Sequence, residues 1–250
     1  MFAIIVLTVA VLVQGRDATF VRRHICLLIL FLTSAPGVRA TTILALYTPT
    51  ATYIGSDSQV SLANGSEARN VCKIHVTKDF VWASAGLLME TQGPFDLRDI
   101  ARRALSSSNS FGQAVDELES QIRREYPNFQ RRALQSGVDL LNARIEIIIG
   151  GIREPDRLSV ITFSGEFPNR INCPSKSCET LGLFELGQHE AVDRVLDRRP
   201  VIWKEMGIPE AMKYLIVAQE NATPRFVSGP VAIVRIDRNG TSWISRGTCR

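Results

Sequence analysis

Apolar residues along this chain fall into short β-like runs separated from longer stretches of helical period. From residue 41 the chain reads Thr-Thr-Ile-Leu-Ala-Leu-Tyr, breaks at Thr48-Pro49-Thr50, and resumes as Ala-Thr-Tyr-Ile-Gly-Ser-Asp. Two β-rich runs around a proline turn predict a hairpin. After a polar, glycine-containing stretch over 61–70, residues 71–76 and 80–85 predict a second strand pair. Leu97, Ile100, Ala101, Ala104 and Leu105 fall at i, i+3, i+4, i+7 and i+8 and make one apolar helical face. Ser110 and Gln113 form a capping box opening a second helix, with Val115, Leu118 and Ile122 inward. That helix runs toward Leu141, with Pro127 as a point of interruption.

Strands return over 145–149 and 158–163, followed by a loop carrying Cys173 and Cys178. Helical periodicity reappears over 191–196 and 209–219, and the chain closes with strands over 231–236 and 241–244 around an Arg238-Asn239-Gly240 turn. Tight turns between paired strands, with helices inserted in blocks, predict an α+β fold with antiparallel sheets. A four-layer αββα sandwich, helices outside two stacked antiparallel sheets, would bury both helix pairs. No linker or repeat divides residues 41–250, which read as one domain.

Residues 1–40 differ from the rest. Arg22 and Arg23 precede the apolar run Ile-Cys-Leu-Leu-Ile-Leu-Phe-Leu, which is followed by Pro36-Gly37 and by small residues up to Ala40. A basic region, an apolar core and a small-residue end are the pattern of a secretory signal peptide with cleavage after Ala40. This implies a secreted or periplasmic protein; a cytoplasmic protein with a propeptide is the alternative. An earlier apolar run over 2–13 is superfluous to that pattern.

The leader also colours the overall charge. The 250 residues carry 29 Lys and Arg against 25 Asp and Glu, but residues 1–40 hold four arginines and one aspartate. The remaining 25 basic and 24 acidic residues leave no basic excess with which to bind nucleic acid. No apolar run reaches the roughly 18 residues that would span a bilayer. Four of the five cysteines, Cys72, Cys173, Cys178 and Cys249, lie beyond the leader. An even count suits an oxidising compartment, with Cys173–Cys178 near enough to bridge and Cys72–Cys249 left as a second pair. Four free buried thiols are the other reading.

Cleavage after Ala40 would make Thr41 an N-terminal residue. An N-terminal threonine holds a hydroxyl nucleophile beside an α-amine whose ordinary pKa of about 7.7 to 8.0 lets it act as general base. Such a site needs a cation to lower the amine's pKa and a carboxylate to hold that cation. Asp57 and Lys73 lie at predicted strand ends and meet both needs. His75 shares the strand face of Lys73 but reads as a satisfied or exposed histidine, and Cys72 faces the other way. His189, in a Gln-His-Glu at a helix start, reads as a polar cap. No group has metal-ligand spacing, and no cofactor is called for.

Thr41-Thr-Ile-Leu-Ala, Ile54-Gly-Ser-Asp-Ser, Lys73-Ile and Ala85-Gly86 together resemble the catalytic β-type subunits of the proteasome. They are equally similar to the proteolytic ring subunit of the bacterial two-component ATP-dependent protease, whose loop is close to Gln59-Val-Ser-Leu-Ala-Asn. Asp57 follows Thr41 by 16 residues, and Lys73 follows Asp57 by 16. The resemblance implies an N-terminal-nucleophile fold and a threonine peptidase acting on peptides or unfolded protein, assembled as a homo-oligomeric ring. It assigns Thr41 as nucleophile, Lys73 and Asp57 as the tuning pair, the Gly86 N–H as oxyanion donor and Ser228 as a support. Val60, Ser61 and Leu88 would line the peptide groove. Gln188 stands where the family usually has serine, and the acid that precedes the family's late Ser-Gly is missing before Ser228-Gly229. Those departures admit a non-catalytic subunit or binding module, or an amidase acting on small amides, as alternatives.

Overall fold

The hairpin predicted at residue 41 forms in the computed structural model of the chain, which describes residues 41–60, 69–86, 94–137, 144–164, 167–175, 178, 182–224 and 227–249. β1 (Thr42–Tyr47) and β2 (Ala51–Ser56) pair antiparallel across a turn in which Thr48 Oγ1 bonds both the carbonyl and the N–H of Ala51. β3 (Gln59–Val60) and β4 (Arg69–Asn70) make a separate two-stranded ribbon. β5 (Ile74–Val76) and β6 (Phe80–Gly86) follow, then helices α1 (Leu97–Ser106) and α2 (Phe111–Gln135). β7 (Ile145–Gly151), β8 (Leu158–Phe163), β9 (Asn169–Cys173) and β10 (Gly182–Gly187) lead to α3 (Glu190–Arg198), α4 (Ile202–Met206) and α5 (Ile208–Ala222). β11 (Ala232–Asp237) and β12 (Gly240–Arg246) end the described chain.

The fold is α+β, with two five-stranded antiparallel sheets in the orders β10-β1-β2-β11-β12 and β5-β6-β7-β8-β9. Strand alternation decides which residues meet. Ile145, Ile147 and Ile149 join Leu97, Ile100, Leu118 and Ile122 in a core between the second sheet and α1 and α2. Ile43, Ala45, Ile54 and Val234 of the first sheet meet Val81, Ala83, Ile148 and Val160 of the second in another. Leu44, Leu46 and Ile233 pack on Val192 of α3 and on Met212, Leu215 and Ile216 of α5.

Several elements differ from expectation. α2 runs unbroken through Pro127. An interior proline costs about 3 kcal/mol, but buried aromatics flank it. Phe129 stacks on Phe95 at 4.2 Å, and the Tyr126 hydroxyl donates to the Phe163 carbonyl. Each buried aromatic recovers roughly 1.5–3 kcal/mol, so packing outweighs the missing hydrogen bond. In the capping box, Gln113 N–H reaches Ser110 Oγ, while Gln113 Oε1 accepts from the Asn109 N–H rather than from Ser110. The strand expected over 71–76 begins only at Ile74, because the Val71 N–H turns back to the Ser58 carbonyl. β9, β10 and α4 were not apparent in the hydropathy pattern. No helix among the described residues is long and apolar enough to cross a membrane.

His75 stacks on its cross-strand partner Trp82 with ring centroids 4.2 Å apart. Burial, reinforced by the Arg98 charge, holds its imidazole down to about 4 against an ordinary 6.5. The unfolded chain therefore takes up this proton first as pH falls, and the folded state loses stability between pH 6.5 and about 4. His75→Phe keeps an aromatic ring on Trp82 and removes one titrating group. Urea unfolding across that window is expected to give a shallower acid-side loss for the variant than for the wild type.

Candidate active site

Sequence-distant strand ends converge at Thr41. This residue directly precedes β1, Asp57 directly follows β2, and Lys73 directly precedes β5. The structure brings all three together. Lys73 Nζ donates to Thr41 Oγ1 at 3.0 Å and to both carboxylate oxygens of Asp57 at 2.9 Å. Asp57 also accepts the N–H of Thr42 at 2.8 Å and of Gln59 at 3.1 Å. All are buried: Thr41 is 7% exposed, Asp57 1% and Lys73 3%.

Burial acts on the two charges in opposite senses. It pulls the Lys73 ammonium below its ordinary range, and the Asp57 carboxylate opposes that shift. It pushes the Asp57 carboxyl up, opposed by Lys73 and by the Thr42 and Gln59 N–H groups. The result is a cation held in low dielectric against a hydroxyl, where its field is far stronger than in water.

The backbone of Thr41 is gripped from the side. Its carbonyl accepts the Gln188 N–H at 2.7 Å, and Thr42 Oγ1 donates to the Gln188 carbonyl at 2.7 Å. Gly187 makes this approach possible: it has a φ of +78°, and a Cβ there would lie 2.0 Å from the Thr41 oxygen. The Gly187 N–H donates at 2.8 Å to Glu146, a carboxylate 4% exposed that is also paired with Arg144. Glu146 lies on β7 of one sheet and Gly187 on β10 of the other, so this bond ties the sheets beside Thr41. Glu146 was not singled out from the sequence, although a charged residue inside Ile-Glu-Ile-Ile-Ile was the available signal. The Gln188 side-chain oxygen is buried and, among the described residues, has no hydrogen-bond partner.

The other expected residues are placed as follows. Gly86 ends β6 with a φ of +95°, and a Cβ there would meet the Arg144 carbonyl oxygen at 2.0 Å, so only glycine fits. Ser228 braces the loop after Asp57: its carbonyl accepts the N–H of Ser58 and Gln59, and its hydroxyl donates to Gln59 Oε1. Val60 pairs with Arg69 in the β3–β4 ribbon. Ser61 and Leu88 lie outside the described residues. Cys72 is disulfide-bonded to Cys249 and Cys173 to Cys178. His189 occupies the N-cap position of α3 but caps nothing with its side chain, because its Nδ1 turns to Asp193. Glu185 Oε2 lies 3.5 Å from the same nitrogen.

Solved structures share this fold. The Gly-1 mutant of Anbu from Hyphomicrobium sp. strain MC1 is 19% identical, covering 82% of this chain and 87% of its own, with a TM-score of 0.56. Anbu (ancestral beta-subunit) from Yersinia bercovieri is 16% identical over 82% and 88%, with a TM-score of 0.57. Another Anbu structure from Hyphomicrobium sp. strain MC1 is 18% identical over 82% and 88%, at 0.53. No protein-family model matches the chain, and no curated protein does. These findings correct the resemblance drawn from the sequence. The neighbours are Anbu proteins, a family distinct from the proteasome β-type subunits, and at this identity the likeness is one of fold.

Removing one member of the buried pair leaves the other without a counter-charge. Lys73→Met is expected to lower unfolding free energy by about 3–5 kcal/mol. The Asp57→Asn/Lys73→Met double variant, which buries no charge, should recover part of that loss in urea unfolding.

Proposed function

We propose that the chain is a threonine-type peptidase whose nucleophile is the Thr41 hydroxyl, freed when a leader is removed after Ala40. The observation that carries this reading is Lys73 Nζ lying between Thr41 Oγ1 and the Asp57 carboxylate in a buried site. In the cleaved protein the α-amine of Thr41 takes the hydroxyl proton as Oγ1 attacks a peptide carbonyl. It then returns that proton to the leaving amine, and water releases the acyl group. The Lys73 charge favours the neutral amine, and Asp57 fixes Lys73 by charge-assisted hydrogen bonds. Gly86 would offer its N–H to the developing oxyanion.

The packing of α1 and α2 on one sheet, and of α3 and α5 on the other, supports a four-layer αββα arrangement of the N-terminal-nucleophile kind. The leader pattern and the two disulfides support export, to a periplasm or outside a cell. A homo-oligomer and an extended peptide or unfolded-protein substrate, bound along Val60, Ser61 and Leu88, complete this reading.

One observation favours a second reading. Gln188 in place of serine, with no acid before Ser228-Gly229, leaves the Thr41 amine with less support, as a non-catalytic binding subunit would tolerate.

N-terminal sequencing of the exported protein is expected to begin at Thr41. Peptide hydrolysis should fall by on the order of 10⁴-fold in Thr41→Ala, and a covalent electrophile directed at N-terminal threonine should label the wild type alone. A chain that begins elsewhere, or unchanged hydrolysis in Thr41→Ala, rejects the mechanism. Mature protein that begins at Thr41 but takes no label supports the binding subunit. Activity should also fall at alkaline pH below the ordinary lysine range, because burial lowers Lys73 and the site needs it charged.

A further inference from the structure

Glu185, His189 and Asp193 stand four residues apart and come from three pieces of chain: the inside of β10, the turn after it, and the first turn of α3. Their ligand atoms all lie within 4.8 Å of one another. His189 Nδ1 is 2.9 Å from Asp193 Oδ2 and 3.5 Å from Glu185 Oε2. Ligands about 2.0–2.1 Å from a tetrahedral zinc ion are roughly 3.3 Å apart. The observed spacings bracket that figure.

We propose that Glu185, His189 and Asp193 bind one divalent transition-metal ion of the zinc class, with solvent completing the coordination. Two carboxylates and an imidazole are a hard-to-borderline donor set suited to such an ion. The site is held by secondary structure on both sides: Glu185 is registered against Leu44 of β1, and the Asp193 N–H bonds the His189 carbonyl at 2.9 Å.

The charge balance favours a dication. A dication held between the two facing carboxylates can satisfy both. Arg194 opposes this, but it is exposed.

The site flanks the residues that hold Thr41. Between Glu185 and His189 lie Gly187, whose N–H is fixed by Glu146, and Gln188, whose backbone grips Thr41 and Thr42. A bound ion would brace this β10–α3 junction. Metal binding does not depend on the peptidase reading, so the two can fail separately.

The test is metal titration of the full chain, disulfides intact, after chelator treatment. Calorimetry with Zn²⁺ should show one more equivalent bound by the wild type than by His189→Ala. Co²⁺ should give a tetrahedral visible absorption band that His189→Ala lacks and Thr41→Ala keeps. Saturating Zn²⁺ should raise the wild-type Tm by about 5–10 °C and leave His189→Ala unmoved, both having similar Tm values in chelator. If His189→Ala does not fold, Asp193→Asn, at a half-exposed position, replaces it and should weaken binding at least about tenfold. Equal stoichiometry in wild type and variant, or no binding by the wild type, overturns the proposal.

Discussion

The Lys73–Asp57 pair is the constraint on which the rest of the site depends. Taking an ammonium and a carboxylate out of water costs several kcal/mol per ion, and attraction repays it only where the remaining hydrogen-bonding capacity is filled. Here that condition fixes the neighbouring chain. Asp57 takes two backbone N–H groups and both contacts from Lys73, while Lys73 spends a further donor on Thr41 Oγ1. The N-terminal end of β1, the exit of β2 and the entry to β5 must therefore meet at one point. A shift in any of them would strand a buried charge.

Covalent and polar links hold that meeting in place. Cys72, the residue before Lys73, is bonded to Cys249 across 177 residues of sequence. Closing a loop that long removes on the order of 5 kcal/mol of chain entropy from the unfolded state. The chain beyond β12 is thus tied to the neighbour of the residue that carries the ammonium into the site. On the far side of Thr41, Glu146 fixes Gly187, and Gly187 lets Gln188 reach the Thr41 carbonyl. The sheets are joined there by a carboxylate on an inward face, where an apolar residue would have packed but held no N–H.

What the sequence makes legible follows from how locally each feature is encoded. The β1–β2 hairpin, the apolar face of α1 and the strands β7 and β8 rest on short-range period, and each forms where that period lies. Thr41, Asp57 and Lys73 stand out because each sits at the end of such a run, as does Gly86, where the backbone turns left-handed. β10 is hidden, since Gly-Leu-Phe-Glu-Leu-Gly has no clear alternation and its partner β1 lies some 140 residues earlier. Glu146 and Gly187 are 41 residues apart, and Gln188 is 146 from Thr42. No local pattern can report such contacts. Family resemblance had the same weakness: its motifs were confined to residues 41–86, and the solved neighbours belong to a different group of the same fold.

A fold retained at 16–19% identity says little about chemistry, because the packing that defines it tolerates replacement of nearly every surface and site residue. The argument for chemistry must therefore come from groups that packing alone would not keep. A lysine and an aspartate buried together are such groups, since apolar residues of similar volume would serve stability as well or better. The hydrogen bond that Lys73 donates to the Thr41 hydroxyl adds a third polar member that packing alone would not call for.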